Sequence, residues 1–172
     1  MSGDSAKMPQ ASAYDGSKPV PDEVDQLSLE AFRALRDVMR ANGHAMAKRF
    51  AARGAHVGQA ACLRVLDGNE GITQREIADI LHVSRPSITS MLQAVEKGGS
   101  IVRRTDQADQ RLTRVYLTDE GRVLTAELRS VLGEYVTETV GAMPEADRRE
   151  LVRLLNDLTG RIATAMATAE GE

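Results

Sequence analysis

The stretch from Thr73 to Gly99 admits very few structures. Thr73-Gln74-Arg75-Glu76 has the form of a capping box, in which the Thr73 hydroxyl accepts from the Glu76 amide and Glu76 reaches back to the cap. It predicts a short helix with Ile77, Ile80 and Leu81 turned inward. His82-Val83 leaves only a tight connection before Ser84, a good N-cap for a second helix. Pro86 falls in that helix's first turn, where its missing N–H costs nothing. Ile88, Met91, Leu92 and Val95 then recur at i, i+3, i+4 and i+7, and Gly98-Gly99 closes the run. Two short helices joined by a tight turn, the second polar on its outer side, form a helix-turn-helix.

What surrounds the pair extends this reading. Ile101–Arg104 and Thr113–Leu117 are short extended runs joined by the polar loop from Thr105 to Leu112, which predicts a hairpin placed as a wing. Upstream, Phe32, Leu35, Met39, Met46 and Phe50 share a helical face, with Asn42-Gly43 as a point of bending or division, and a shorter helix follows over about residues 58–67. Downstream, Thr118-Asp119-Glu120 caps a long helix carrying Leu124, Leu128, Val131 and Tyr135, which Met143-Pro144 should break. A last helix bears the stripe Leu151, Leu154, Leu155, Leu158 and Ile162. That stripe is more than a winged domain of about 65 residues can cover, which favours a symmetric dimer. The fold expected is mainly α with a small β-hairpin wing. Residues 1–24 read as a flexible tail and 25–172 as a single domain, with its winged core over 57–117 and dimerisation helices at 25–54 and 118–166.

Composition agrees. Aromatic residues are 3% of the chain and Trp is absent, which suits a helical core of aliphatic side chains. The net charge of −3 argues at first against a nucleic-acid partner. Its distribution does not: residues 29–72 carry +3 and 73–117 carry +2, while residues 1–28 carry −3 and 118–172 carry −5. No run approaches the roughly 18 apolar residues of a membrane helix, and the N-terminus has no secretory pattern. The chain is therefore expected in the cytoplasm, away from membranes and with the nucleoid when bound to DNA.

In a helix-turn-helix the second helix enters the major groove with its N-terminal residues against the bases. Its outer face here offers Arg85, Ser87, Thr89, Ser90 and Gln93. Arg can read guanine bidentately, Gln can read adenine, and Ser or Thr can hold a phosphate or either base. The wing carries Asp106, Asp109 and Arg111 in its loop, with Arg103, Arg104 and Arg114 on the strands. An Arg at such a tip can enter the narrow, negative minor groove.

The segments "TQREIADILHVSRPSITSMLQAVEKGGSIVRR", "DQADQR" and "VYLTDEGR" together resemble the multiple-antibiotic-resistance regulator (MarR) family, and the layout of helices extends the likeness to about residues 27–166. The resemblance implies a homodimer with interlocked terminal helices, two winged domains on successive major grooves of a palindromic operator, and a repressor's role. It implies that Arg111 enters the minor groove, steadied by Asp109. It also implies a small-molecule effector held between the dimer helices and the winged domain. Thr73, Gln74, Arg75, Ser84, Arg85, Pro86, Ser87, Thr89, Ser90, Gln93, Arg103, Asp109, Arg111 and Arg114 form the candidate DNA-contact set. Ser90 stands where many members carry Arg, and Gly98-Gly99-Ser100 replaces a basic-Gly-Leu run.

Other chemistries find little support. Cys62 lies in the second helix with only Arg64 as a basic neighbour, so it reads as an inert thiol rather than a redox sensor. His44, His56 and His82 have no metal-ligand spacing with one another, with Cys62 or with Glu30. No phosphate-binding glycine loop or nucleophile elbow is present. No cofactor and no catalysis are expected. Two readings stay open: an operator-binding regulator, and a winged-helix protein-interaction module without operator binding.

Overall fold

The computed structural model describes residues 24–169, and the expected N-terminal tail lies outside them but for its last residue. The chain divides into two compact units, Met1–Gly43 and His44–Glu172. Helix α1 is Gln26–Ala51, and its helical pairing runs through Asn42-Gly43 without dividing there. Of the face expected along it, Met46 is buried and Phe50 half-buried, whereas Phe32 and Met39 are exposed.

The second unit contains α2 (Val57–Leu66), α3 (Gln74–Leu81), α4 (Arg85–Lys97), β1 (Ile101–Thr105), β2 (Thr113–Leu117), α5 (Asp119–Glu138), a 3-10 turn at Val140–Ala142 and α6 (Glu145–Ala169). This is the winged helix-turn-helix order. Its core is aliphatic: Leu63, Leu66, Ile77, Ile88, Leu92 and Val115 are all essentially inaccessible. Each such side chain contributes roughly 1.5–3 kcal/mol by leaving water.

Ile80 departs from expectation. It is 52% exposed, and Ala78 takes the inward place beside Ile77. Ile77, Ala78 and Leu81 span one arc of the helix, and Ile80 lies about 100° outside its centre at 100° per residue. The long helix also ends before Met143-Pro144. The Thr139 hydroxyl donates to the Tyr135 carbonyl at 2.6 Å and its backbone leaves helical geometry at φ −105, ψ −90. Such back-bonding competes with helical pairing, and the following Val140-Gly141 has weak helix propensity.

Turn chemistry sets the angles between elements. Thr73 caps α3 in a complete capping box, accepting the Glu76 amide at 3.2 Å while Glu76 accepts the Thr73 amide at 2.7 Å. The corner between α3 and α4 turns at His82, left-handed at φ 51, the sole non-glycine residue with positive φ among the described residues. Ser84 caps α4 by accepting the Ser87 amide at 3.3 Å. The hairpin pairs β1 antiparallel to β2 with Ile101 opposite Leu117 and Thr105 opposite Thr113. Residues 71–73 lie along the free edge of β2: the Gly71 amide donates to Val115 at 2.8 Å and the Val115 amide to Ile72 at 3.0 Å. The wing is thereby stitched to the segment that leads into α3.

Candidate nucleic-acid interface

The start of α3, the start of α4 and the wing loop surround one open cleft of about 310 Å³. Thr73, Gln74, Arg75, Arg85 and Arg111 line it, so five of the expected contact residues converge on one surface. Gln74 is a strut inside it. Its amide donates to the Thr89 hydroxyl at 2.5 Å, and that hydroxyl donates to the Arg85 carbonyl at 2.9 Å. The two helices are thus cross-linked at their N-terminal ends.

The expected residues divide by how far their polar groups are already spent. Ser84 and Ser87 share a hydroxyl–hydroxyl bond of 2.8 Å at the α4 cap. Arg75 faces solvent with Asp79 at 3.9 Å, a loose pair. Arg85, Pro86, Ser90 and Gln93 are exposed on α4, and Arg111 is exposed at the wing loop. Among the described residues neither Arg85 nor Arg111 is in an ion pair, which leaves both guanidiniums available to an external anion.

Arg103 and Arg114 are turned to internal partners. Arg103 Nε donates to Glu96 at 2.8 Å and its own amide donates to the same carboxylate at 3.1 Å, joining the end of α4 to β1. Arg103 holds the Glu96 carboxyl below the usual carboxylate range. Arg114 Nε pairs with Asp106, and its Nη1 donates to the Gly71 carbonyl at 2.7 Å. That guanidinium, with the Asp109 and Ala108 amides, brings the Asp106 carboxyl down to about 2. Asp109 accepts the Arg111 amide at 3.0 Å, so it shapes the backbone of Arg111 rather than gripping its side chain.

Glu96 and Asp106 are outside the expected contact set. Asp106 could have been found from the first acid of its loop motif. Glu96 had no such signal, because its partner is brought near by the Gly98-Gly99 turn.

With this geometry the comparisons are direct. Residues 54–112 match the model of the MarR family. Over 101 residues the chain is 36% identical to the HTH-type transcriptional regulator FarR of Neisseria gonorrhoeae, a match covering 59% of this chain and 66% of that protein, just under two thirds of its length. A solved MarR family transcription regulator superimposes with a TM-score of 0.76 at 24% identity, covering 81% of this chain and 92% of that one. Residues 54–112, which hold the helix-turn-helix and most of the wing, are thus similar to the MarR family. A further neighbour is the transcriptional repressor CouR bound to a 23-mer DNA duplex, 26% identical with a TM-score of 0.68, covering 80% of this chain and 99% of that one.

Two remaining features of this chain bear on chemistry. Cys62 is wholly buried, and burial pushes its thiol up to about 11, the condition of an unreactive cysteine. Among the described residues no cluster of metal-ligating side chains occurs, and no helix is long and apolar enough to cross a membrane.

Proposed function

We propose that this protein is a transcriptional repressor that binds a palindromic operator in double-stranded DNA as a homodimer and responds to a small molecule. The observation that carries the reading is the cleft itself: Arg85 and Arg111, on two different elements and without an ion pair among the described residues, face one groove beside the exposed end of α4. A helix end and a wing tip set around one cleft suit adjacent major and minor grooves. The duplex-bound structure of CouR, a repressor with this fold, supports the same mode here. Ser90 and Gln93 add exposed hydrogen-bonding groups able to read base edges.

Dimer formation is supported by α6, which has no buried residue and leaves Leu154, Leu155, Leu158 and Ile162 exposed. An effector is supported by a second cavity of about 200 Å³ between α2 and α5, lined by Phe50, Ala60, Leu63, Leu128 and Leu132 with Arg64 and Arg129 among its polar members. Such a slot suits a small apolar molecule.

The test is selection of duplexes from a randomised pool by the full chain, followed by titration of the enriched sequence. A palindrome bound with an affinity that falls as salt is raised is expected. Arg111→Ala should weaken that binding about tenfold and make the salt dependence shallower by roughly one counterion per lost contact. No enriched sequence, or an Arg111→Ala variant that binds equally well, would overturn the reading.

A further inference from the structure

The wing must present Arg111 at one place and one angle, yet residues 107–111 of its loop are all exposed. We propose that Asp106 and Arg114 are a brace that fixes the wing against the helix-turn-helix, making Asp106 a positioning residue for the contact Arg111 makes. This rests on the DNA-binding reading above and assigns a role to two side chains which that reading leaves unused.

One carboxylate does two jobs here. Oδ1 of Asp106 accepts the Ala108 amide at 2.7 Å and the Asp109 amide at 2.8 Å, which folds the loop over its own first residue. The Asp106 amide closes the other side by donating to the Leu112 carbonyl at 2.9 Å. Oδ2 takes the Arg114 guanidinium, whose far nitrogen reaches the Gly71 carbonyl at 2.7 Å. The Asp106 side chain is only 9% exposed, although it belongs to a surface loop. Gly71 is itself held, by its amide bond to Val115 and by the Tyr116 ring, which a β-carbon at Gly71 would approach to 3.0 Å. The wing tip is thus fastened through Asp106 and Arg114 to the segment that enters α3. Arg111 follows two residues after Asp109, inside the bracket these bonds close, and its side chain has no ion pair among the described residues. Its direction is inherited from the brace.

The sign of a single substitution separates this role from simple electrostatics. An acid beside a polyanion repels it, so Asp106→Asn should tighten binding if only charge matters. If the carboxylate positions the wing, the same substitution should weaken binding about tenfold, because Arg111 loses its fixed approach. The probe is the palindromic duplex enriched by the unaltered full chain. Asp106→Asn is expected to lose protection at the minor-groove edges of the footprint while protection under α4 remains. In an Arg111→Ala background it should cost nothing further, since the contact it serves is gone.

Thermal midpoints check that each variant is folded. Arg114→Lys is the second variant: it keeps the charge and the Asp106 loop bonds but cannot span Asp106 and Gly71 together, and the same dependence on Arg111 is expected. Equal or tighter binding by Asp106→Asn, or losses that add fully to that of Arg111→Ala, overturns the proposal alone. Failure of the unaltered chain to enrich any duplex overturns it together with the function on which it rests.

Discussion

Gly121 stands where α5 leaves the wing, and a β-carbon there would lie 1.9 Å from the Ser100 carbonyl oxygen. That oxygen accepts the Thr118 amide at 3.1 Å, and the Thr118 hydroxyl in turn accepts the Gly121 amide at 2.9 Å. Neither side can yield without undoing the cap of α5. Gly121→Ala is expected to lower stability by about 3 kcal/mol, seen as a fall in the denaturant midpoint. Cys62 gives a prediction of a different kind. Its folded thiol titrates at about 11, above its ordinary 9.0, so between these values the folded chain holds a proton that the unfolded chain has released. Stability should therefore decline as pH rises from 9 toward 11. Iodoacetamide at neutral pH should leave the native thiol unlabelled and modify it on unfolding, as read by mass spectrometry.

At the scale of elements, α3 depends on its cap more than its length suggests. It has eight residues, too few to be stable alone, and Thr73 satisfies one of its orphan amides while Glu76 satisfies the amide of the cap. Thr73→Ala should cost about 1 kcal/mol in chemical denaturation. These helices were legible in the sequence because caps and periodicity act over a few residues. Thr73, Ser84 and Thr118 all cap the helices expected of them. Ile80 was misjudged because an apolar residue at i+3 can fall on either side of a narrow buried arc. Arg103 and Arg114 were legible as basic residues on strands, but not as spent ones. The partners of Arg114 include the Gly71 carbonyl, 43 residues earlier, and no local pattern reports such a bond. Convergence of Arg75, Arg85 and Arg111 on one cleft likewise depended on packing, since each belongs to a different element.

At the scale of the whole molecule, α6 leaves a long apolar stripe uncovered. Leu154 is 49% exposed, Leu155 42% and Leu158 37%, in a helix with no buried residue. Replacing Leu155 and Leu158 together with Glu should convert the proposed dimer to a monomer, measured by sedimentation, and abolish binding to a palindrome while the winged core keeps its thermal transition. The inward-turned arginines of the wing act at this scale too. Every guanidinium committed to an internal carboxylate is one that displaces no ion from a duplex. With Arg103 held by Glu96 and Arg114 by Asp106, the proposed interface has two fewer guanidiniums with which to hold an arbitrary stretch of duplex. Bound to DNA as proposed, such a chain should hold non-cognate duplex weakly and with a shallow dependence on salt.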